Sequence, residues 1–242
     1  MYKLNLAHVY PNLLNLYGDN GNVTVLKKRC EWRNIELYIT EINEGDNINP
    51  EFFDIYFIGS GLELQQNFAS KEIIKQKTAL QFAAIQNNVI LGIDSGYQIL
   101  GEYYENSQKE QIEGLNILNT YTKNDGTRFI GNVSAKCDFL SPQTLVGFEN
   151  HAGKTYIKEG TTPLSKLEIG KGNNGEDCFE GARKNNVFGT YLHGAFLPKN
   201  VHFADYLIKL ALEKKYNEKI SLIELDDEIE KKTHNSLIGK KY

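Results

Sequence analysis

The decapeptide Val89-Ile90-Leu91-Gly92-Ile93-Asp94-Ser95-Gly96-Tyr97-Gln98 passes from an apolar run directly into a helix start, with no loop between. Within it, Gly92-Ile93-Asp94-Ser95-Gly96 sets a glycine two residues to either side of one central side chain. That is the spacing of a nucleophile elbow. The sharp strand-to-helix turn strains the central residue, and the flanking glycines let neighbouring backbone pack close. The central side chain then projects at a helix N-terminus, whose free N–H groups stabilise developing negative charge. Spacing alone also fits a plain strand-to-helix turn, so the surrounding elements have to carry the decision.

Working outward, the strand Val89–Ile93 follows a helix over residues 71–86, with Ile73, Ile74, Leu80, Phe82 and Ile85 on its apolar positions. Before that lies a short buried strand over 54–58, ending in Gly59-Ser60-Gly61. The chain opens with a strand, Lys3–Val9, then a helix over 22–33 (Val23, Val25, Leu26 and Cys30 apolar), then the β-branched, alternating strand Glu36–Ile42. The front half is therefore βαβ-βαβ. Continuous apolar strands between helices predict a parallel sheet covered on both faces, with ligands at the carboxyl ends of the strands. The rear half reads as strands over 128–137, 144–148, 154–157, 164–169 and 187–192 without intervening helices, an antiparallel extension. An amphipathic helix, Val201–Tyr216, and a solvated, charged helix over 226–234 close the chain.

The composition sets bounds on this reading. The chain has 242 residues, 40% of them apolar and 24% charged, which excludes intrinsic disorder and fits one α/β domain. A net charge of -4 with no long Lys/Arg block argues against nucleic acid or an anionic membrane as the main partner. The opening Met1-Tyr2-Lys3-Leu4-Asn5-Leu6 alternates where a signal peptide needs an unbroken apolar run, and no window approaches a membrane span, so a cytoplasmic location is expected. Cys30, Cys137 and Cys178 are far apart and outside any C-x-x-C pattern, so neither a disulfide framework nor a metal site is expected; all three read as buried small hydrophobes.

The run Leu91-Gly92-Ile93-Asp94-Ser95-Gly96-Tyr97-Gln98-Ile99-Leu100-Gly101 resembles the elbow of class I glutamine amidotransferases, written G-x-C-x-G-x-Q. Further segments narrow the resemblance: Tyr17-Gly18-Asp19-Asn20-Gly21-Asn22, Phe57-Ile58-Gly59-Ser60-Gly61, Ile112-Glu113-Gly114-Leu115, Thr127-Arg128-Phe129-Ile130-Gly131, Gly147-Phe148-Glu149-Asn150-His151-Ala152-Gly153-Lys154-Thr155 and Gly189-Thr190-Tyr191-Leu192-His193-Gly194. In this order they are similar to the GatD-type glutaminase subunits of lipid II isoglutaminyl synthases, in the cobyric-acid-synthase-like branch. The resemblance implies a flavodoxin-like class I glutamine amidotransferase domain over residues 1–216, a C-terminal helical tail over 217–242, and no cofactor. It implies hydrolysis of glutamine and delivery of ammonia to a Mur-ligase-like partner of the MurT type. That heterodimer amidates D-glutamate in the peptidoglycan stem at the expense of ATP, a step of cell-wall biogenesis.

Residue by residue, the resemblance puts Asp94 at the nucleophile position, where the family carries cysteine, and His193 at the general base. Residues Gly59, Ser60 and Gly61, with Ser95 at the helix start, correspond to the oxyanion hole, and Arg128 to the arginine that holds the substrate carboxylate. His151 reads as a loop-ordering residue. Gly194 and Ala195 follow His193, so the common His-x-Glu acid is missing, and the resemblance implies that the partner ligase donates a carboxylate. Ser60 stands in an otherwise all-glycine turn, where a positive φ carries a cost.

Aspartate changes the chemistry. A thiol is a few per cent thiolate at neutral pH and forms a readily hydrolysed thioester, whereas a carboxylate attacks an amide poorly and has to form a mixed anhydride. Each added 1.4 kcal/mol or so of barrier costs about tenfold in rate, so glutaminase activity is expected to be lost. A carboxylate at a helix N-terminus, hydrogen-bonded to a protonated His193, is nevertheless expected to fold well. Two other readings stay open: a glutamine-sensing or scaffolding module of the ligase, and a hydrolase that uses Asp94 as a true nucleophile through an alkyl-enzyme ester. The second needs a cap domain and an acid behind the histidine, and neither is visible in the sequence.

Overall fold

The computed structural model describes residues 1–240. Its front half alternates as the apolar pattern requires: β1 (Lys3–Val9), α1 (Asn20–Glu31), β2 (Glu36–Ile42), β3 (Ile55–Ile58), α2 (Glu63–Ile73), α3 (Lys77–Ile85), β4 (Val89–Ile93) and α4 (Ser95–Leu100). The rear half holds β5 (Tyr103–Glu105), β6 (Gln111–Glu113), β7 (Thr120–Lys136), β8 (Thr144–Ile157), β9 (Thr162–Ile169), β10 (Phe179–Lys184) and β11 (Val187–Thr190). Helices α5 (Phe196–Lys199), α6 (Val201–Tyr216) and α7 (Glu228–Leu237) end the chain.

Eleven strands of the described residues form one sheet in the order β2-β1-β3-β4-β11-β10-β9-β7-β5-β6, with β8 on β7. Strands β2, β1, β3, β4 and β11 run parallel, and β10, β9, β7 and β8 extend the sheet antiparallel. Because strand side chains alternate between faces, each central strand feeds two cores. Ile55, Phe57, Leu91 and Ile93 enter the core under α1 and α6, whereas Tyr56, Ile58 and Ile90 enter the core on the other face with Tyr97 and Leu100.

Four expectations need correction. The helix over 71–86 is two helices, α2 starting earlier at Glu63, with a 3-10 turn at Ile74–Gln76 between them. At that break Gln76 turns its amide to Asp46 and Ile48, a tertiary attachment that periodicity does not encode. The strands over 144–148 and 154–157 are one strand, β8, which runs straight through Glu149, Asn150 and His151, and β10 is a further strand beyond those the sequence pattern predicts. Polar residues interrupt the apolar alternation there because they wall the cavity described below. Cys178 is exposed, unlike Cys30 and Cys137, because it sits at positive φ (59°) in the turn before β10. The tail is more than a solvated helix: Asp227 pairs with buried Arg29, and His234 is buried between Thr144 and the carbonyl of Lys199. No helix among the described residues is long and apolar enough to cross a membrane.

Candidate active site

The elbow forms as the glycine spacing demands. Asp94 has φ 49° and ψ −103°, a strained conformation for a non-glycine residue, held by its N–H donating to the Thr190 carbonyl at 2.9 Å. Gly96 permits the turn, since a Cβ there would lie 2.1 Å from the Ile58 carbonyl oxygen, and its N–H donates to the Gly59 carbonyl at 3.0 Å. The side chain of Asp94 is 8% exposed and takes no hydrogen bond among the described residues. Burial, reinforced by the nearby Asp19 carboxylate and partly opposed by Arg128, pushes its carboxyl up to about 7. The expected stabilised carboxylate is therefore not found: α4 supplies no cap to the side chain, and desolvation outweighs its dipole.

His193 reaches the same end of the sheet because β11 lies parallel to β4, with Thr190 opposite Ile93. Its N–H donates to the Phe148 carbonyl at 3.0 Å. The imidazole is 1% exposed, and its Nε2 has no hydrogen-bond partner. Burial, with Lys199 and Arg128 nearby and only the Asn150 carbonyl opposing, lowers it to about 4. The ring is neutral at physiological pH, so the expected hydrogen bond from a protonated His193 to Asp94 is not found. The ring of Tyr17 stacks on it, centroids 4.4 Å apart and planes 8° apart. A cavity of about 130 Å³ is lined by Tyr17, Gly61, Asp94, Ser95, Arg128 and Asn150; His193 does not line it, and Tyr17, which stacks on His193, does.

The residues 59–61 turn lies beside the elbow with two amides already engaged. Ser60 donates its N–H at 2.6 Å and its hydroxyl at 2.8 Å to one oxygen of buried Asp19, and Gly61 donates its N–H to Ser95 Oγ at 3.2 Å. None of the three residues is at positive φ, so Ser60 is not strained. Its hydroxyl instead adds a bond to Asp19, whose carboxyl burial pushes up to about 6. Ser95 Oγ donates within hydrogen-bond reach of the Gly61 carbonyl and of Gln66 Oε1, and so ties the elbow to this turn and α2.

Arg128 lies on β7, where the pairing with β8 shifts register between Asn124 and Phe129. Its Nε donates to Asn150 Oδ1 at 2.5 Å and its Nη2 to the Asn150 carbonyl at 2.9 Å, leaving an aimed guanidinium in the cavity wall. His151 is part of β8 and not of a loop. Its Nδ1 lies 2.8 Å from the Gly153 carbonyl, its ring stacks on Tyr191 at 3.6 Å, and burial holds it neutral, down to about 3. Glu180, on β10 beside β11, is buried and accepts from Thr190 Oγ1 and the Tyr191 N–H. Tyr17, Asp19 and Asn150 carry no role in the sequence reading. The signals were the Tyr17-Gly18-Asp19-Asn20-Gly21-Asn22 and Glu149-Asn150-His151 motifs, which pointed to the site without saying what each side chain touches.

A strained acidic residue at an elbow, an arginine facing it and an imidazole one strand away make a site that can hold an amino acid by its carboxylate and present its side chain to position 94. Residues 5–201 match the CobB/CobQ-like glutamine amidotransferase domain. The chain is 42% identical over 215 residues, covering 89% of it and 87% of the relative, to the lipid II isoglutaminyl synthase (glutamine-hydrolyzing) subunit GatD of Staphylococcus aureus strain N315. It is 36% identical over 227 residues to the subunit of the same name from Streptococcus pneumoniae strain R6, covering 93% and 87% of the two chains. A solved glutamine amidotransferase from Thermotoga maritima superposes with a TM-score of 0.58 at 13% identity, covering 98% of this chain and 94% of that one, a likeness of fold. The chain belongs to the CobB/CobQ-like glutamine amidotransferase family and, within it, to the GatD-type subunits.

Proposed function

We propose that this chain is the glutamine-binding subunit of a lipid II isoglutaminyl synthase, and that it pairs in the cytoplasm with a Mur-ligase-like subunit of the MurT type. Residues 1–216 form the glutamine amidotransferase domain and 217–242 its tail. Arg128 binds the α-carboxylate of glutamine, His193 is the general base, and the amides of the 59–61 turn and Ser95 serve the oxyanion. Asp94 stands where the family uses cysteine, so the chain's own glutaminase is impaired. The observation that carries this reading is Asp94 at the elbow, in one cavity with Arg128.

The chemistry gives the direction. A carboxyl raised to about 7 is partly protonated at neutral pH, and even its ionised form is a weaker nucleophile toward an amide than a thiolate. The unmodified chain with its ligase releases no glutamate from glutamine above background. Asp94→Cys restores release, and His193→Ala abolishes it again in that background. Glutamate release by the unmodified chain that His193→Ala removes would sink the proposal. If Asp94→Cys stays silent, Ser60→Gly in that background tests whether the Asp19 clamp on the turn is the remaining block. A native pull-down with crosslinking that recovers no Mur ligase counts against the partner.

The second reading is a glutamine-sensing or scaffolding subunit, favoured by an Arg128 that is aimed while the nucleophile is absent. The two separate on ammonium. A complex that amidates its substrate from ammonium salts equally well with and without glutamine is scaffolded by this chain, whereas stimulation by glutamine without its hydrolysis marks a sensor.

A further inference from the structure

Tyr17 is the described side chain that touches both halves of the site. Its ring lies flat on the His193 imidazole at 4.4 Å, and its hydroxyl accepts a hydrogen bond from Asn150 Nδ2 at 3.0 Å. The same Asn150 side chain accepts the Arg128 Nε–H through Oδ1, and its backbone carbonyl accepts from Nη2. Arg128, Asn150, Tyr17 and His193 are thus one contact series, drawn from four segments of the chain. Tyr17 is also poised to move. It sits at φ 57° inside the 3-10 turn Leu16–Gly18, a conformation that bulky residues rarely adopt, and its side chain is partly exposed.

From this geometry we infer that Tyr17 is a positioning residue for His193, and that Asn150 couples it to the carboxylate subsite at Arg128. The inference rests on the glutamine-binding reading above and deepens it. A guanidinium offers five N–H donors in a planar fork, and the Nε–Nη2 edge that suits a carboxylate is the edge now bound to Asn150. A substrate carboxylate taking that edge displaces the Asn150 amide. The amide then withdraws its donor from the Tyr17 hydroxyl, the turn relaxes, and the ring leaves the imidazole. Nε2 of His193, buried beneath the Tyr17 ring without a hydrogen-bond partner, becomes open to the cavity when the ring moves. The charged groups near His193 are Arg128 and Lys199, with His151 on the neighbouring strand, and none is an acid that would hold the ring protonated.

The test reads His193 directly in the full chain, by NMR titration of its ring nitrogens, with the signal assigned from His193→Ala. In the unmodified chain His193 titrates near pH 4. In Tyr17→Ala it moves upward by about two pH units toward the ordinary histidine range near 6.5, and Tyr17→Phe, whose ring Asn150 no longer holds, moves it in the same direction. Millimolar glutamine at pH 6.5 shifts the His193 signals of the unmodified chain and leaves those of Tyr17→Phe in place, with glutamine affinity, read by calorimetry, changed by less than about threefold. In an Asp94→Cys background Tyr17→Phe lowers kcat with KM nearly constant, a split that mere destabilisation does not produce. A folded Tyr17→Ala whose His193 still titrates near pH 4 overturns the positioning role. A glutamine-induced shift that survives in Tyr17→Phe overturns the coupling. Absence of glutamine binding to the unmodified chain, with His193 released in Tyr17→Ala, refutes the substrate reading while the positioning role stands.

Discussion

At position 94 the carboxyl group carries a cost that depends on pH. Its folded value, about 7, lies above the ordinary carboxylate range near 3.9, so the folded chain holds a proton that the unfolded chain has released. For a group raised in this way the stabilising contribution is complete below the unfolded value and is lost as pH rises through the folded one. Asp94→Asn removes the charge while keeping a residue that tolerates positive φ, so it stabilises the chain. The gain grows from about pH 4 and levels off above about pH 7, where, at roughly 1.4 kcal/mol per pH unit, it exceeds 1 kcal/mol. Urea unfolding of both chains at pH 5 and pH 8 checks this, and a gain that shrinks with rising pH contradicts it. Arg128 supports a second expectation. Arg128→Ala weakens glutamine binding at least tenfold, about 1.5 kcal/mol or more for a charged hydrogen bond, and Arg128→Lys recovers little because a single ammonium lacks the planar fork. Calorimetry on the unmodified chain and both variants reads the loss.

Among the elements, α7 and the segment before it are tied to α1 and to the segment that follows His193. Arg29 on α1 is buried and binds two carboxylates, Asp205 of α6 at 2.6 Å and Asp227 of the tail at 2.7 Å. His234 of α7 lies 2.7 Å from the Lys199 carbonyl, and Lys199 Nζ donates to the Gly194 carbonyl at 2.6 Å, beside His193. Removing one partner from a buried ion pair leaves the other charge desolvated and costs about 3–5 kcal/mol. Arg29→Ala therefore lowers the unfolding midpoint by about 6 °C or more for a chain of this size. Deleting residues 217–242, which removes Asp227 and His234, does the same. Calorimetric unfolding of the two variants reads both effects. A truncated chain with an unchanged midpoint would show that the tail is carried along and not built in. A separate cavity of about 280 Å³ between α6 and the tail holds no residue of the elbow.

For the whole molecule the buried titratable groups set the pH of greatest stability. Glu180, Asp94 and Asp19 are raised to about 8, 7 and 6 by burial, so each withdraws stability as pH rises through its folded value. His8, His193 and His202 are lowered to about 4 and His151 to about 3, again by burial, so the unfolded chain gains their protons first, and stability falls as pH drops below about 6.5. The two sets oppose one another between about pH 4 and 6.5, and only the carboxyl set acts above it. Thermal unfolding should show a midpoint that rises as pH falls from 8 to 6.5 and then flattens; a midpoint that climbs steadily toward pH 8 contradicts these shifts. These ionisation states were invisible in the sequence, whereas the order of strands and helices in the front half and the elbow at Asp94 were legible there. Apolar periodicity and the Gly92–Gly96 spacing act over a few residues, and backbone geometry reads them locally. The motifs also single out Arg128, which lies in the wall of the cavity that Asp94 lines, and His193, which follows β11, the strand beside β4. Tertiary structure alone decided that the Ser60 amide is held by Asp19, 41 positions away, and that Asn150 holds Tyr17 across 133 positions. It also decided that the Asp94 carboxyl is raised and the His193 imidazole lowered, because burial sets the charge of each, and burial is a property of the packed sheet, not of any segment of the chain.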